Sequence, residues 1–279
     1  MKKTFDETSF LCSKIVTKKY STSFSLAVKM LSPKIREAIF SIYAFVRFAD
    51  EIVDSFHEFD KNELINEFEQ DYYKAYKTGI SLNPILNVFQ LTVKKYNIDD
   101  NLIQAFLKSM KLDLKKQQYN STKEYLDYIY GSADVVGLMC LKVFVNGDEQ
   151  KYNNLKSYAM SLGSGFQKIN FLRDLKEDYE LLNRSYFPGI NLQSLDLQSK
   201  NKIIKEIEYD FEQAYKGIKL LPMEAKFGVY TAYIYYKGLL NKLKKTPSTE
   251  IMNSRIRISN PLKISLLAKS FVVFKLNLI

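Results

Sequence analysis

An all-α fold is predicted for this chain: one bundle of helices, a single domain over residues 1–279, around a central cavity. Three observations carry the prediction. Apolar residues recur at helical spacing along nearly the whole sequence. Hydrophobic residues make up 46% of the 279, enough for a large core. Only 10 Gly and 6 Pro are present, too few for a turn-rich all-β architecture.

The elements follow in order. Ser32-Pro33 reads as an N-cap followed by a proline in the first turn, opening a helix through Ile35, Ile39, Ile42 and Val46 to about Asp54. A second pattern covers Lys61 to Tyr76. Asn83-Pro84 opens a third, to about Tyr96. Asp99-Asp100 precedes a fourth, from Leu102 to about Lys116. Ser121-Thr122-Lys123-Glu124 starts a fifth, through Tyr125 and Ile129. Asn146-Gly147-Asp148 marks a turn, and a helix from about Gln150 to Tyr179 follows. The stretch 183–197, with Pro188-Gly189, is irregular. Helical patterns then occupy Lys200 to Leu220 and Glu224 to Lys244, and Pro247 and Pro261 bracket a short basic connection. There is no internal repeat, low-complexity tract or domain linker. Helices this long can enclose a cavity, where bundles host their sites.

Composition narrows the chemistry. The net charge of +10 favours anionic partners such as diphosphates, nucleic acid or an acidic membrane surface. The Lys-rich stretches, Lys242 to Lys245 among them, fall in no nucleic-acid motif, so no nucleic-acid partner is expected. Two cysteines, Cys12 and Cys140, form no CxxC pair and fit a reducing cytoplasm. A single histidine, His57, expected exposed after a helix, excludes His-rich zinc chemistry and most Ser-His catalysis. No secretory leader follows Met1-Lys2-Lys3, and no stretch offers about 18 uncharged apolar residues. The run Leu262 to Ile279 comes nearest, yet carries Lys263, Lys269 and Lys275. It reads as an amphipathic basic segment able to rest on a membrane, or as a final helix packed on the domain.

Two acidic patterns carry the functional signal. In Arg47-Phe48-Ala49-Asp50-Glu51-Ile52-Val53-Asp54, at about 100° per residue, Asp50 and Asp54 lie about 40° apart. Ile39, Tyr43, Val46 and Arg47 share that side, so the carboxylates follow the inward stripe. Buried carboxylates are costly unless paired or bound to metal. The segment Gln167 to Asp178 repeats the pattern: Asn170, Asp174 and Asp178 climb one face, with Gly163 and Phe166 on the same side. The small residues Ser161, Gly163, Ser164 and Gly165 allow close approach by a neighbour or ligand. Two such helices facing each other would form a dense oxygen-ligand cage, suited to Mg²⁺ with phosphate oxygens as further ligands. Arg47, Lys168, Arg173 and Arg184 are interleaved with the acids, and arginine matches phosphate oxygens in a bidentate fork. No P-loop is present, which argues against phosphoryl transfer from ATP.

At these residues the chain resembles the squalene/phytoene synthase family, over nearly its whole length. Tyr20-Ser21-Thr22-Ser23-Phe24 resembles the family's Ser-rich flap. Tyr43 to Asp54 resembles the first aspartate-rich motif. Tyr130-Gly131-Ser132-Ala133-Asp134-Val135-Val136-Gly137 resembles the central tyrosine and small-residue segment. Gln167 to Asp178 resembles the second aspartate-rich motif, and Arg184-Ser185-Tyr186-Phe187-Pro188 the element after it. Asp134 stands where the family often has a small residue, and Glu51 extends the first motif.

The resemblance implies an isoprenoid synthase bundle around a deep apolar cavity. It implies a prenyltransferase that joins two geranylgeranyl diphosphates head to head into phytoene in carotenoid biosynthesis, through a cyclopropylcarbinyl diphosphate. The alternatives are a C30 enzyme making squalene or dehydrosqualene from farnesyl diphosphate, and a non-catalytic assembly protein of the same fold. By position in the motifs, Asp50, Asp54, Asn170, Asp174 and Asp178 would hold Mg²⁺ (or Mn²⁺). Ser21, Ser23, Arg47, Gln167, Asn170, Arg173, Arg184, Tyr186 and Tyr236 would contact diphosphate. Tyr43, Tyr130, Tyr186 and Tyr236 would face the cavity, Tyr130 and Arg47 with a catalytic role alongside the aspartates, and Asp113 occupies a further acidic position of the family. The form Phe48-Ala49-Asp50-Glu51-Ile52-Val53-Asp54 resembles the carotenoid-pathway branch. A cytoplasmic protein, peripheral on the inner membrane face, is expected.

Overall fold

The computed structural model describes residues 1–116, 118–182, 184, 186–189 and 195–279. Among them are fourteen α-helices: α1 (Lys2–Tyr20), α2 (Thr22–Lys29), α3 (Pro33–Ser55), α4 (Lys61–Thr78), α5 (Pro84–Tyr96), α6 (Asp100–Asp113), α7 (Thr122–Ile129), α8 (Val135–Phe144), α9 (Glu149–Arg173), α10 (Leu175–Leu182), α11 (Leu197–Leu220), α12 (Met223–Lys245), α13 (Ser248–Asn253) and α14 (Asn260–Lys275). A π-helical turn, Tyr130–Asp134, joins α7 to α8. Helix α3 runs through the middle, against α1, α5 and α8, while α9 packs chiefly on α11 and α8. The predicted all-α architecture is observed.

Local chemistry sets most boundaries. The side chains of Asp60, Asn83, Ser121 and Asp148 accept from the first free N–H groups of α4, α5, α7 and α9. Gly79, Asn97, Asn146 and Gly147 take the left-handed conformation at turns, which Gly and Asn tolerate best. Ser32 departs from the expected cap: its hydroxyl caps nothing. Its N–H instead donates to the Glu224 carbonyl (2.8 Å), fastening the α2–α3 turn to α12.

The buried face of helix α1 carries no hydrophobic signature that sequence reading could use. The buried positions of α1 are Ser9, Ser13 and Thr17, a polar inward stripe. Ser9 and Thr17 turn their hydroxyls onto carbonyls four residues back, so small polar side chains can line a buried face. The expected helix over 150–179 is broken at Asp174, which leaves helical geometry and separates α9 from α10. Helix α6 ends at Asp113, short of Lys116.

The core is aromatic at its centre. Phe45 stacks on Phe89 (3.8 Å between centroids) and packs against Phe68, Tyr72 and Phe106. Helix α14 lies on α12 but is not amphipathic as expected. Only Ser270 is buried, and apolar side chains surround its axis. Among the described residues no helix is long and apolar enough to cross a membrane.

Candidate active site

Two adjoining cavities occupy the centre of the bundle. One, of about 650 Å³, is polar and lies between α3, α6 and the α9–α10 junction. The other, of about 290 Å³, is apolar and runs from that junction between α2, α3, α8, α9, α11 and α12. Phe24, Tyr43, Val46, Ser132, Gln167, Asn170 and Tyr236 line both, so they form the passage from one to the other.

The polar cavity gathers charge from distant parts of the chain. Asp50 and Asp54 line it from α3, Asp113 from the end of α6, and Asp174, Glu177 and Asp178 from α9–α10. Arginines face each bank. Arg47 pairs with Asp50 (2.6 Å) and Glu51 and lies over the Tyr20 ring, 4.5 Å from its centroid. Its Nε is buried with no partner among the described residues, an unused donor at the cavity wall. Arg184 is buried. It donates to Asp54 (2.8 Å) and to the Asp113 carbonyl (3.1 Å), tying α3 to α6. Arg173 holds Asp174 in a two-pronged pair, which the break after α9 makes possible for adjacent residues. Arg255, from the segment before α14, bonds Asp174 (2.9 Å) and Glu177 (3.0 Å).

This crowding shows in the acidities. Burial pushes Asp50 up to about 7, and the neighbouring Asp54 charge adds to the rise. Asp50 still opens onto the cavity, its side chain 36% exposed there. Burial, with Asp174 and Asp54 nearby, raises Asp178 to about 8. Asp113 also rises to about 7 by burial, opposed by Arg184 and by the Tyr128 hydroxyl, which donates to it at 2.9 Å. Burial and mutual repulsion thus raise these acids, despite the arginines beside them.

Aromatic rings form the wall next to these groups. Tyr186 stacks on Phe171 (3.9 Å) and against Tyr128 and Tyr119. In the passage Tyr236 stacks on Phe166 (3.9 Å) and donates to Asn170 Oδ1 (3.3 Å), while Asn170 donates to Gln167 (3.4 Å) and Gln167 to Ser132 (3.4 Å). Tyr43 stacks on Phe24, and burial raises its phenol to about 12. Beyond, the apolar cavity is walled by residues such as Ala27, Val28, Leu31, Val136, Cys140, Phe144, Leu162 and Leu221. Glycines let its helices approach closely: a Cβ on Gly163 would sit 2.9 Å from the Ala133 carbonyl.

Of the residues singled out in the sequence, Ser21, Tyr43, Arg47, Asp50, Asp54, Asp113, Gln167, Asn170, Arg173, Asp174, Asp178, Arg184, Tyr186 and Tyr236 all line these cavities. Three do not. Tyr130 lines neither cavity and is 37% exposed: at about 100° per residue it points to the other side of the chain from Tyr128, which faces the site. Ser23 lies off the face of α2 that carries Phe24 and Val28 to the cavity. Lys168 points away from the acids and bonds Asp210 of α11 at 2.8 Å. Ser185, in the fifth motif, lies outside the described residues. Sequence reading missed Tyr128 and Arg255. Tyr128 had a signal, since it stands three residues after the inward Tyr125. Arg255 had none, because only the chain's return path brings it to Asp174.

The expected dense carboxylate cage is looser than the spacing suggested. Among the described residues no three acidic, imidazole or thiol groups converge closely enough to hold a metal ion by themselves. Instead two oxygen banks, Asp50/Asp54 and Asn170/Asp174/Asp178, face one cavity. Such a set fits Mg²⁺ that takes further oxygens from a diphosphate between the banks, since Mg²⁺ is commonly held by one or two carboxylates plus substrate phosphates.

A helical bundle with acidic banks and arginines above an apolar cavity defines the all-α isoprenoid synthase class. The chain belongs to the squalene/phytoene synthase family, whose profile matches residues 17–261. That family comprises prenyltransferase-type enzymes acting on prenyl diphosphates. The chain is 25% identical over 247 residues to phytoene synthase 1, chloroplastic, of Solanum lycopersicum, covering 82% of this chain and 60% of that one. It is 25% identical over 279 residues to the 15-cis-phytoene synthase of Synechocystis sp., covering 89% and 80%. The chain thus spans about three fifths of the tomato relative's length. Its fold is that of a crystallised dehydrosqualene synthase in complex with ligand, with a TM-score of 0.83, 21% identity and coverage of 97% and 98%. A squalene synthase from Alicyclobacillus acidocaldarius gives a TM-score of 0.75 at 18% identity, covering 86% and 94%.

Proposed function

We propose that the protein condenses two geranylgeranyl diphosphates head to head into phytoene, releasing diphosphate, in carotenoid biosynthesis. The observation that carries this reading is the pairing of a polar cavity, rich in acids and arginines, with an apolar one through a shared passage. A prenyl diphosphate has the same two halves. The C20 length rests on the phytoene synthases among the sequence relatives. We assign the protein to the cytoplasm, at the inner face of the membrane.

The residues present account for the chemistry. Arg47, Arg173, Arg184 and Arg255 stand where a departing diphosphate would gather negative charge, and positioned cations act most strongly away from bulk water. Mg²⁺, held by Asp50, Asp54, Asn170, Asp174 and Asp178 together with diphosphate oxygens, would add Lewis acidity to the leaving group. The allylic cation left behind would lie in the passage, beside the rings of Tyr43, Phe166 and Tyr236, whose faces stabilise positive charge without attacking it. The second chain's double bond would attack there, and loss of a proton from the resulting cation would close the ring of the cyclopropylcarbinyl diphosphate. A second ionisation, rearrangement and proton loss would complete the product. The apolar walls keep water from quenching the cation.

The test is product analysis by mass spectrometry after incubation with Mg²⁺ and either farnesyl or geranylgeranyl diphosphate, with and without NADPH. A C40 hydrocarbon from geranylgeranyl diphosphate without NADPH is expected. A C30 product would move the enzyme to the squalene or dehydrosqualene branch. No product from folded protein would sink the catalytic reading.

A further inference from the structure

Behind the passage lies a polar cluster that the proposed chemistry does not use. Asp134 closes the π-turn and is 5% exposed. The Ser164 hydroxyl of α9 donates to its Oδ1 at 2.8 Å. One turn further along α9, the buried Lys168 donates to the buried Asp210 of α11 at 2.8 Å. Both charges of that pair act on Asp134, so the four side chains form one cluster spanning three elements. Close approach of α9 to α11 depends on Gly165, where a Cβ would lie 2.8 Å from the Phe211 ring. Buried polar groups cost free energy unless they are satisfied, and a satisfied set fixes one arrangement of the elements it joins.

The π-turn and α9 also build the passage. Ser132 stands two residues before Asp134 on the π-turn, and Gln167 three residues after Ser164 on α9. The passage bonds are long: Gln167 to Ser132 and Asn170 to Gln167 at 3.4 Å, Tyr236 to Asn170 at 3.3 Å. These lengths lie beyond the usual range of about 2.7–3.2 Å, so the bonds hold little by themselves. The shorter Asp134–Ser164 bond joins the same two elements and sets the separation at which the longer ones meet. Lys168, next to Gln167, anchors α9 to α11 from the other side.

We propose that Asp134 is a positioning residue for the prenyl coupling: through Ser164 it holds the π-turn against α9, so that Ser132, Gln167 and Asn170 keep the passage closed around the allylic cation. The role rests on the reaction proposed above. With the passage loosened, water adds to the cation and loses a proton, giving the prenyl alcohol in place of the coupled product. Burial raises the Asp134 carboxyl to about 7, opposed by Ser164 and Lys168. An amide of the same shape also accepts the Ser164 bond, so Asp134→Asn should preserve the role and Asp134→Ala should not.

The test compares Asp134→Ala, Ser164→Ala and Asp134→Asn with the unmodified chain, with folding checked by circular dichroism. In steady state with Mg²⁺ and geranylgeranyl diphosphate, both alanine variants should lose about ten- to a hundredfold in kcat, the scale for a small misplacement of reacting groups. KM should stay the same, and more substrate should leave as the alcohol. Asp134→Asn should restore most of kcat. A readout independent of turnover is the fluorine NMR signal of a fluorotyrosine placed at Tyr236, whose hydroxyl ends the chain of passage bonds. It should shift in both alanine variants and return in Asp134→Asn.

Unchanged kcat and alcohol share in the alanine variants would overturn the proposal, and Ser164→Ala alone decides this if Asp134→Ala does not fold. A rise in KM alone would also overturn it, as would an Asp134→Asn variant as slow as Asp134→Ala. Absence of product from the unmodified chain with either prenyl diphosphate would sink the proposed reaction. The fluorine signal would then decide whether Asp134 sets the passage, an unmoved signal meaning that it does not.

Discussion

Arg184→Ala removes the side chain that joins α3, α6 and the segment after α10. Arg184 is 5% exposed, and its partner Asp54 is 30% exposed at the side chain. Breaking a buried ion pair costs about 3–5 kcal/mol, and the partial exposure of Asp54 points to the low end. The freed carbonyl of Asp113 adds about 1 kcal/mol. The expected loss is about 3–4 kcal/mol, which for a domain of this size lowers Tm by about 5–7 °C. The loss should also depend on pH. Asp113 already titrates at about 7 despite the Arg184 charge beside it. Without that charge its folded pKa rises further, so the folded state holds its proton to higher pH. At about pH 6 the neutral acid hides part of the damage, and at about pH 8 the uncompensated carboxylate reveals it. Urea unfolding followed by circular dichroism at both pH values measures this. A loss below about 1 kcal/mol, or one equal at the two pH values, would refute the account of Arg184 as the counter-charge of this acidic site.

Three further outcomes are expected. Asp50→Ala and Asp174→Ala should lower turnover by at least about 10²–10³-fold, the scale for removing one transition-state stabiliser, with the helical signal unchanged; full activity in either would remove it from the metal-diphosphate assignment. Without Mg²⁺ and diphosphate, Tm should fall as pH rises from about 4 to about 8. The raised acids Asp50, Asp113 and Asp178 bind more protons folded than unfolded across that window, and scanning calorimetry with and without the ligands should show them restoring stability at the alkaline end. Gly228→Ala should destabilise by about 1–3 kcal/mol, because the new Cβ overlaps the Leu31 side chain and meets the Ala27 carbonyl at 3.0 Å. Unchanged thermal melting would show that Leu31 can move aside.

The sequence by itself determined the helical class, most helix starts and both acidic motifs. These are local properties: a 3.6-residue period, caps within three residues of the N–H groups they serve, and carboxylates four apart on one face. It also singled out Arg184 and Gln167, through motif order, and Tyr236, through the family resemblance. Tertiary structure decided the rest. The hydroxyl stripe of α1 is inward only because α3 and α5 cover it. Tyr128, and not Tyr130, lines the cavity, and Lys168 turns to Asp210 because α11 lies behind α9. Arg255 reaches Asp174 across 81 positions, and the two oxygen banks face each other across a cavity whose width no spacing encodes. Local periodicity assigns a residue to a face of its own helix. What that face meets is fixed only by packing among helices far apart in the chain.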